Sequence, residues 1–505
     1  MSSTAKPVAH RPWILTALML FMMLAAMDVT IVSTAVPQIV ADLGDFSLFT
    51  WVFSIYLLTQ TVTIPVYGKL ADLYGRKPIL IFGSALFLVG SAACAFAWDM
   101  PSLIAFRGLQ GLGAGAIMAT VNTLAGDLYS LEERGRVQGY LSSVWGIAAI
   151  SGPVLGGTFV EYLSWHWIFL VNIPIGLLAI GLLMAFLHED VVKKRHNIDY
   201  LGSAAILAGV GSLIFALMQG GTAWAWDSSA SYLAFGIAAL LLVFALWSQT
   251  RALEPIMPGW LWRNPALASA NLAMVGMGFI IMVPTAYLPT FTQSVYGLNA
   301  ISAGLVLAAI SLGWPAASSL SAKLYLRIGY RNTALIGSAL IFIATAGFLL
   351  LPYQVSIWAL VFDQILLGAG FGLLSTPLLV GAQSSVGWQQ RGVVTGANMF
   401  SRFLGQSLGI AVFGTLFNGS LATQLAKAPS ELRARLPQDI DNVVVSLQQS
   451  DLTSDAVLYL RHSVYDAIYG LYIGLATVAL LVLIIVAMSP RKFNIHSPQT
   501  VGNES

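Results

Sequence analysis

The chain has 505 residues, of which 57% are hydrophobic and 9% charged, with a formal net charge of +2 and a mean hydropathy of +0.79. A soluble protein of this length has no way to hide so much apolar surface, so the composition points to a membrane protein. The near-neutral charge gives no footing for a nucleic-acid partner, and the single cysteine, Cys94, excludes a disulfide framework or a cysteine metal site.

The stretch Met1 to Pro12 is short and polar, and the apolar run that starts at Trp13 has no small-residue cleavage site before the next polar break. It reads as a retained first helix. A membrane helix needs about 20 apolar residues. Such runs fall near 13–36, 48–67, 79–98, 102–125, 138–160, 167–187, 200–219, 231–249, 266–290, 301–321, 333–351, 356–381, 393–417 and 467–488. Fourteen spans put both ends of the chain on one side. Of the 24 Lys and Arg, eighteen then lie in loops on the side of the termini, four on the other, and Arg107 and Arg402 within helices. The positive-inside rule makes the termini cytoplasmic and leaves the longest loop, 418–466, outside.

The chain repeats itself. The charged hinge Gly68-Lys69-Leu70-Ala71-Asp72-Leu73-Tyr74-Gly75-Arg76-Lys77-Pro78 joins the second and third runs, and it has an echo. Lys69-Leu70 matches Lys323-Leu324, Gly75 matches Gly329, and Gly83-Ser84-Ala85-Leu86 matches Gly337-Ser338-Ala339-Leu340, all at one offset. Leu112-Gly113-Ala114-Gly115 recurs at 367–370, and Arg134-Gly135-x-Val137-x-Gly139 recurs from Arg391 to Gly396. Runs 1–6 therefore correspond to runs 9–14, with runs 7 and 8 inserted. The expected organisation is an all-α polytopic membrane protein: a six-helix bundle over 1–190, two inserted helices with their linkers over 191–260, and a second six-helix bundle over 261–505.

These motifs are recognisable. The hinge resembles the signature loop between helices 2 and 3 of the major facilitator superfamily. Arg107-Gly108-Leu109-Gln110-Gly111-Leu112-Gly113 resembles its helix-4 motif, and Gly146, Gly152, Pro153, Gly156 and Gly157 stand as in its helix-5 antiporter motif. Asp28-Val29-Thr30-Ile31-Val32, with Ala35 and Pro37, is similar to the helix-1 motif of the fourteen-helix drug:proton antiporter branch, although Ser33 stands where that branch often has Asn. The resemblance implies proton-driven export of amphipathic or cationic compounds by a multi-pass protein of the cytoplasmic membrane. It implies no cofactor, and it does not say which compound.

Chemistry is concentrated in few residues. Asp28 and Asp363 are the acids within the membrane runs. A lone carboxylate there is expensive unless it is neutral, paired or facing water. Burial favours the neutral form and a nearby cation the ionised one, so a group pulled both ways suits proton coupling. Asp28 is the first candidate and Asp363 the second. Arg107, charged at any relevant pH, is the cationic counterpart, with Gln110 on the same helical face. Gly68, Asp72, Gly75 and Arg76 read as a latch; the echo has Leu326 where the hinge has Asp72, so the latch is expected on one side only. The helix-5 glycines and Pro153 read as a tight seal or pivot between the halves. Tyr56, Gln60, Gln110, Asn398, Arg402 and Gln406, the last three each four apart, are the expected lining of a central cavity. None of the six His residues has a catalytic or metal spacing, so an enzyme is not expected, nor is a channel, since no paired half-helices are evident. The partners expected are a small-molecule substrate, protons and membrane lipid, around a monomer; whether a periplasmic adaptor joins it is open. A dedicated exporter of one endogenous lipid, siderophore or metabolite is the rival reading on the same fold.

Overall fold

The computed structural model describes residues 10–44, 48–189, 199–221, 223–252, 254–353, 355–429, 432, 436 and 454–491. Fourteen long helices dominate the described residues. They are α1 (Arg11–Val32), α2 (Phe49–Tyr74), α3 (Arg76–Ala95), α4 (Met100–Leu128), α5 (Leu131–Tyr162), α6 (Trp167–Phe186) and α7 (Tyr200–Gln219). There follow α8 (Ser229–Arg251), α9 (Pro265–Tyr296), α10 (Ser302–Ile328), α11 (Tyr330–Phe348), α12 (Ile357–Ser384), α13 (Arg391–Ala426) and α14 (Ser454–Met488). Twelve of them are long and apolar enough to cross a membrane. The other two are α2, which carries Thr59, Gln60, Thr61 and Thr63 at its centre, and α7, whose apolar part is the shorter stretch Leu201–Leu217.

Local sequence explains where the helices begin. Pro101 sits in the first turn of α4, and Asp99 accepts the Ser102 N–H at 2.8 Å. At the start of α5 the Glu133 carboxylate reaches back to the Ser130 N–H at 3.0 Å. Asn264 and Asn299 cap α9 and the α10 region in the same way. Gly75 ends α2 with φ of 98°, and its echo Gly329 ends α10 with φ of 87°. A side chain is strained in that region, which is why both copies of the hinge keep glycine.

Two buried clusters form the halves. One gathers Ile14, Phe21, Tyr56, Phe87, Ile117 and Leu141 with other residues of α1–α8, and reaches across the interface to Leu379, Met399, Phe400 and Phe403. The other gathers Met274, Phe291, Ile341, Phe371, Phe413 and Leu475 from α9–α14. Among the twelve apolar spans the repeat is visible in the burial: α4 and its counterpart α12 are the most enclosed, and α1 and its counterpart α9 come next. The inserted α8 is the least buried, with Leu240 73% exposed, as expected of a helix in lipid. Its partner α7 lies against both α2 and α13, so the insertion touches both halves. Asp199 holds the pair together, accepting the Gly202 N–H at 2.7 Å and the Gln249 amide at 2.9 Å.

The boundaries differ most at the long loop expected over 418–466. Helix α13 runs on to Ala426 and α14 starts at Ser454, so helix occupies both ends of that stretch. The expected linker 188–200 lies largely outside the described residues, but Glu189 is placed: it accepts the N–H groups of Arg76 (2.9 Å) and Lys77 (2.7 Å) at the start of α3.

Candidate functional site

Asp28 lies about 26 Å along α1 from its start, at 1.5 Å per residue, and is fully buried. Arg107 of α4 donates to one carboxylate oxygen at 2.5 Å. Gln110, one turn along α4, donates to the other at 2.7 Å, and Asn172 of α6 donates to the same oxygen at 3.4 Å. Arg107 also donates to Gln110 (2.8 Å) and to the Val52 carbonyl of α2 (3.1 Å). Its guanidinium carbon stands 4.2 Å from the centroid of the Tyr56 ring. Asn172 is in turn tied to Ser91 of α3 at 3.0 Å. Three donors thus converge on Asp28, and each of these contacts suits the carboxylate as acceptor. A proton arriving at Asp28 would displace one of them, most directly Arg107. The glycines of the helix-4 motif pack α4 closely on its other neighbours: a Cβ on Gly111 would stand 2.5 Å from the Tyr56 carbonyl of α2, and one on Gly113 2.5 Å from the Gly83 carbonyl of α3.

The hinge forms a second constellation. Asp72, buried at the end of α2, accepts the N–H groups of Gly392 and Val393 at 2.8 Å each. It therefore caps the N-terminus of α13, a helix of the other half, where a carboxylate meets the positive end of the helix dipole. Arg76 bridges Asp72 (2.7 Å) and Asp127 at the end of α4 (2.9 Å), donates to the Trp388 carbonyl (2.5 Å) and lies over the Trp388 ring at 3.7 Å. Arg391 completes the cluster at 2.9 Å from Asp127. Gly68 is in contact with Gly392; a Cβ on Gly68 would stand 2.5 Å from the Gly392 carbonyl oxygen. Around this cluster Gln383 donates to the Asn122 carbonyl (3.1 Å) and to Thr395 (2.9 Å), while Arg134 reaches Ser384 at 3.4 Å. The hydrogen bonds that join the halves gather at this end of the bundle. In the repeat-related contact, α5 against α10, no carboxylate caps or ion-pairs across the halves among the described residues: Gly135 and Gly139 pack on Ala322 and Ser319, and Tyr325 donates to the Leu131 carbonyl. Leu326, where the echo has lost its acid, is 49% exposed.

Not every expected residue joins these groups. The helix-5 glycines divide. Gly146 packs on Ser311 across the halves, whereas Gly152 packs on Thr30 of α1 and Gly156 on Thr34 just beyond its end, both within the first half. Gly157 faces open space and Pro153 is exposed, and α5 runs unbroken through Pro153. Asp363 stands apart from Asp28, in the second half, accepting from Gln364 at 3.0 Å. Asn398, Arg402 and Gln406 follow one face of α13. Gly396 packs on Ile64 and Pro65 of antiparallel α2, so the next turns of α13 come level with Gln60 and Tyr56. Both amide atoms of Asn398, Nε2 of Gln60 and Nε of Arg402 are buried without a protein partner. The middle of the interface therefore holds unspent hydrogen-bonding capacity between the halves.

Sequence reasoning missed Asn172, Asp127 and Trp388. Asn172 was a lone amide inside an apolar run, a signal of the same kind as Asp28. Asp127 was readable as an acid at a helix end. Trp388 offered nothing, because its part is played by a backbone carbonyl and a ring face.

A two-fold repeated bundle of membrane helices with a buried ion pair in one half and a capped helix between the halves defines a polytopic transporter. The sequence profile of the Major Facilitator Superfamily matches residues 18–410, and the chain belongs to that family. It is 32% identical over 505 aligned residues to Multidrug resistance protein 3 of Bacillus subtilis, covering 95% of this chain and 98% of that one. It is likewise 32% identical to the multidrug transporter protein MdtP of Bacillus subtilis, covering 96% and 94%. Among solved structures, the human organic anion transporter MFSD10 superposes with a TM-score of 0.59 at 14% identity, covering 94% of this chain and 99% of that one. A bacterial homologue of the iron transporter ferroportin in an outward-facing state gives 0.59 at 13% identity, covering 94% and 98%. These two show the fold. The family and these relatives point to an efflux transporter.

Proposed function

We infer that the chain exports amphipathic or cationic compounds across the cytoplasmic membrane in exchange for protons, by alternating access between bundles 1–190 and 261–505, with both termini cytoplasmic. The observation that carries this reading is the Asp28 network: a fully buried carboxylate met by three donors, one of them a guanidinium that has no other acid beside it. Protonating Asp28 removes the charge that holds Arg107, Gln110 and Asn172 together, and deprotonating it restores that hold. A proton is in this way exchanged against a rearrangement of α1, α4 and α6. The Asp72 cap on α13 is the matching mechanical element, holding the hinge end shut until it opens. Substrate lies between the halves, at Gln60, Asn398 and Arg402, where hydrogen-bonding capacity is unspent, with Gln406 one turn further along α13. The names of the two Bacillus relatives, both multidrug proteins, support the substrate class.

The test uses purified protein in proteoliposomes with an imposed pH gradient and two probes, cationic ethidium and a neutral amphiphile of similar size. The reading expects accumulation of probe on the acidic side, abolished by a protonophore. Accumulation indifferent to the gradient contradicts proton coupling. Gradient-driven transport of neither probe favours a dedicated exporter of one endogenous solute.

A further inference from the structure

A crevice of about 550 Å³ lies outside the interface between the halves, between α10 and α12 on the outer face of the second bundle. Small residues make it. Gly313, Ala316 and Ala317 of α10 face Ala369 of α12, and leucines close the rim. Gly313 sits so close to α12 that a Cβ there would meet the Ile365 carbonyl. At its hinge end the crevice is lined by Lys323 and Arg327, one turn apart on α10 and both exposed. Among the described residues neither has a carboxylate partner, and no acid lines the crevice. From Leu312 to Arg327 the lining runs about 22 Å along the helix. That is about half of a ~40–45 Å bilayer counted with its headgroups.

We propose that this crevice binds one anionic phospholipid, with an acyl chain against Gly313, Ala316 and Ala369 and the phosphate between Lys323 and Arg327. The charge pattern selects the occupant. A zwitterionic lipid gains little from two unpaired cations, and a cationic amphiphile is repelled by them. An anionic headgroup gains roughly fivefold per nearby cation, about 30-fold for the pair. The site lies in the leaflet of the hinge end, which is the cytoplasmic leaflet in the proposed orientation. Its binding does not depend on which compound the transporter exports.

The test is native mass spectrometry of the purified full-length protein titrated with palmitoyl-oleoyl phosphatidylglycerol and, in parallel, with phosphatidylcholine of the same chains. Wild-type protein should hold one phosphatidylglycerol with at least tenfold preference. K323Q/R327Q should lose most of that preference. A316W, which fills the groove and leaves both cations in place, should also release the lipid. If phosphatidylcholine binds as well as phosphatidylglycerol, or if K323Q/R327Q keeps the preference, the headgroup assignment is wrong. Retention in A316W together with loss in K323Q/R327Q shows diffuse charge attraction and overturns the site. Displacement of phosphatidylglycerol by ethidium in wild-type protein makes the crevice a site for cationic amphiphiles and overturns it too.

Discussion

Replacing Asp72 with asparagine tests the latch quantitatively. The carboxylate receives two α13 N–H groups at 2.8 Å and Arg76 at 2.7 Å, all in a buried cluster. Asparagine keeps one acceptor and turns an amide N–H₂ toward a backbone N–H, so one charge-assisted bond is lost. A hydrogen bond to a buried charge contributes about 1.5–3 kcal/mol. Taking about 2 kcal/mol, the closed arrangement of the hinge end loses roughly thirtyfold in population against the open one. Ser384 sits behind the latch, buried beside Arg134. In a Cys94→Ala background, alkylation of Ser384→Cys by a water-soluble maleimide reports how often that end opens. Asp72→Asn should raise the alkylation rate about tenfold or more, slow transport, and leave equilibrium substrate affinity within a few-fold, because the residue lies far from the central stripe. An alkylation rate within twofold of the parent, in folded protein, refutes the latch. A large loss of substrate affinity places Asp72 at the binding site instead.

Other outcomes follow from the same contacts. Gly68→Ala pushes a methyl against the Gly392 carbonyl and should open the hinge end much as Asp72→Asn does, read by the same alkylation rate. Gly157→Ala meets nothing within 4 Å and should leave transport intact while raising thermal stability slightly, since alanine is favoured over helical glycine by about 0.5–1 kcal/mol; a loss of transport would give Gly157 a role that its surroundings do not show. For orientation, Leu163→Cys, in the exposed turn after α5, should react with an impermeant thiol reagent in intact cells, and Glu132→Cys, at the opposite end of α5, should not; the reverse pattern would turn the direction of export around. Asn172→Ala removes the longest of the three donors to Asp28 (3.4 Å) and should reduce transport only a few-fold, measured as initial rate in vesicles.

Much of this was legible because membrane helices announce themselves by length and hydropathy, and because a duplicated chain carries its own control. The pairing of Gly75 with Gly329 in the sequence reappears as two residues with positive φ. Asp28, Arg107 and Gln110 were singled out as polar residues in apolar runs, and the structure brings them into one network. What stayed hidden depends on partners that carry no side-chain signal. The hinge acid caps a helix through backbone N–H groups more than three hundred residues on, and any sequence there would offer them. The helix-5 motif looked like one device, yet its glycines face different neighbours, since residues six or ten apart on a helix need not share a face. Asp363 resembled Asp28 as an isolated acid; the structure separates them, since Asp28 is met by Arg107, Gln110 and Asn172, whereas Asp363, in the other half, accepts from Gln364.

The central claim is that Asp28 carries the proton, and one measurement bears on it directly. Asp28→Asn fixes the site in a neutral form of nearly the same shape. In inverted membrane vesicles energised by a pH gradient, with a pH-sensitive dye following proton release on substrate addition, the account predicts that uphill accumulation and substrate-evoked proton release vanish together for cationic and neutral substrates alike, while downhill exchange of substrate persists. A variant that still drives substrate uphill with a normal proton response contradicts the account and makes Asp363 the residue to test; one that loses only the cationic substrate makes Asp28 a counter-ion for substrate instead.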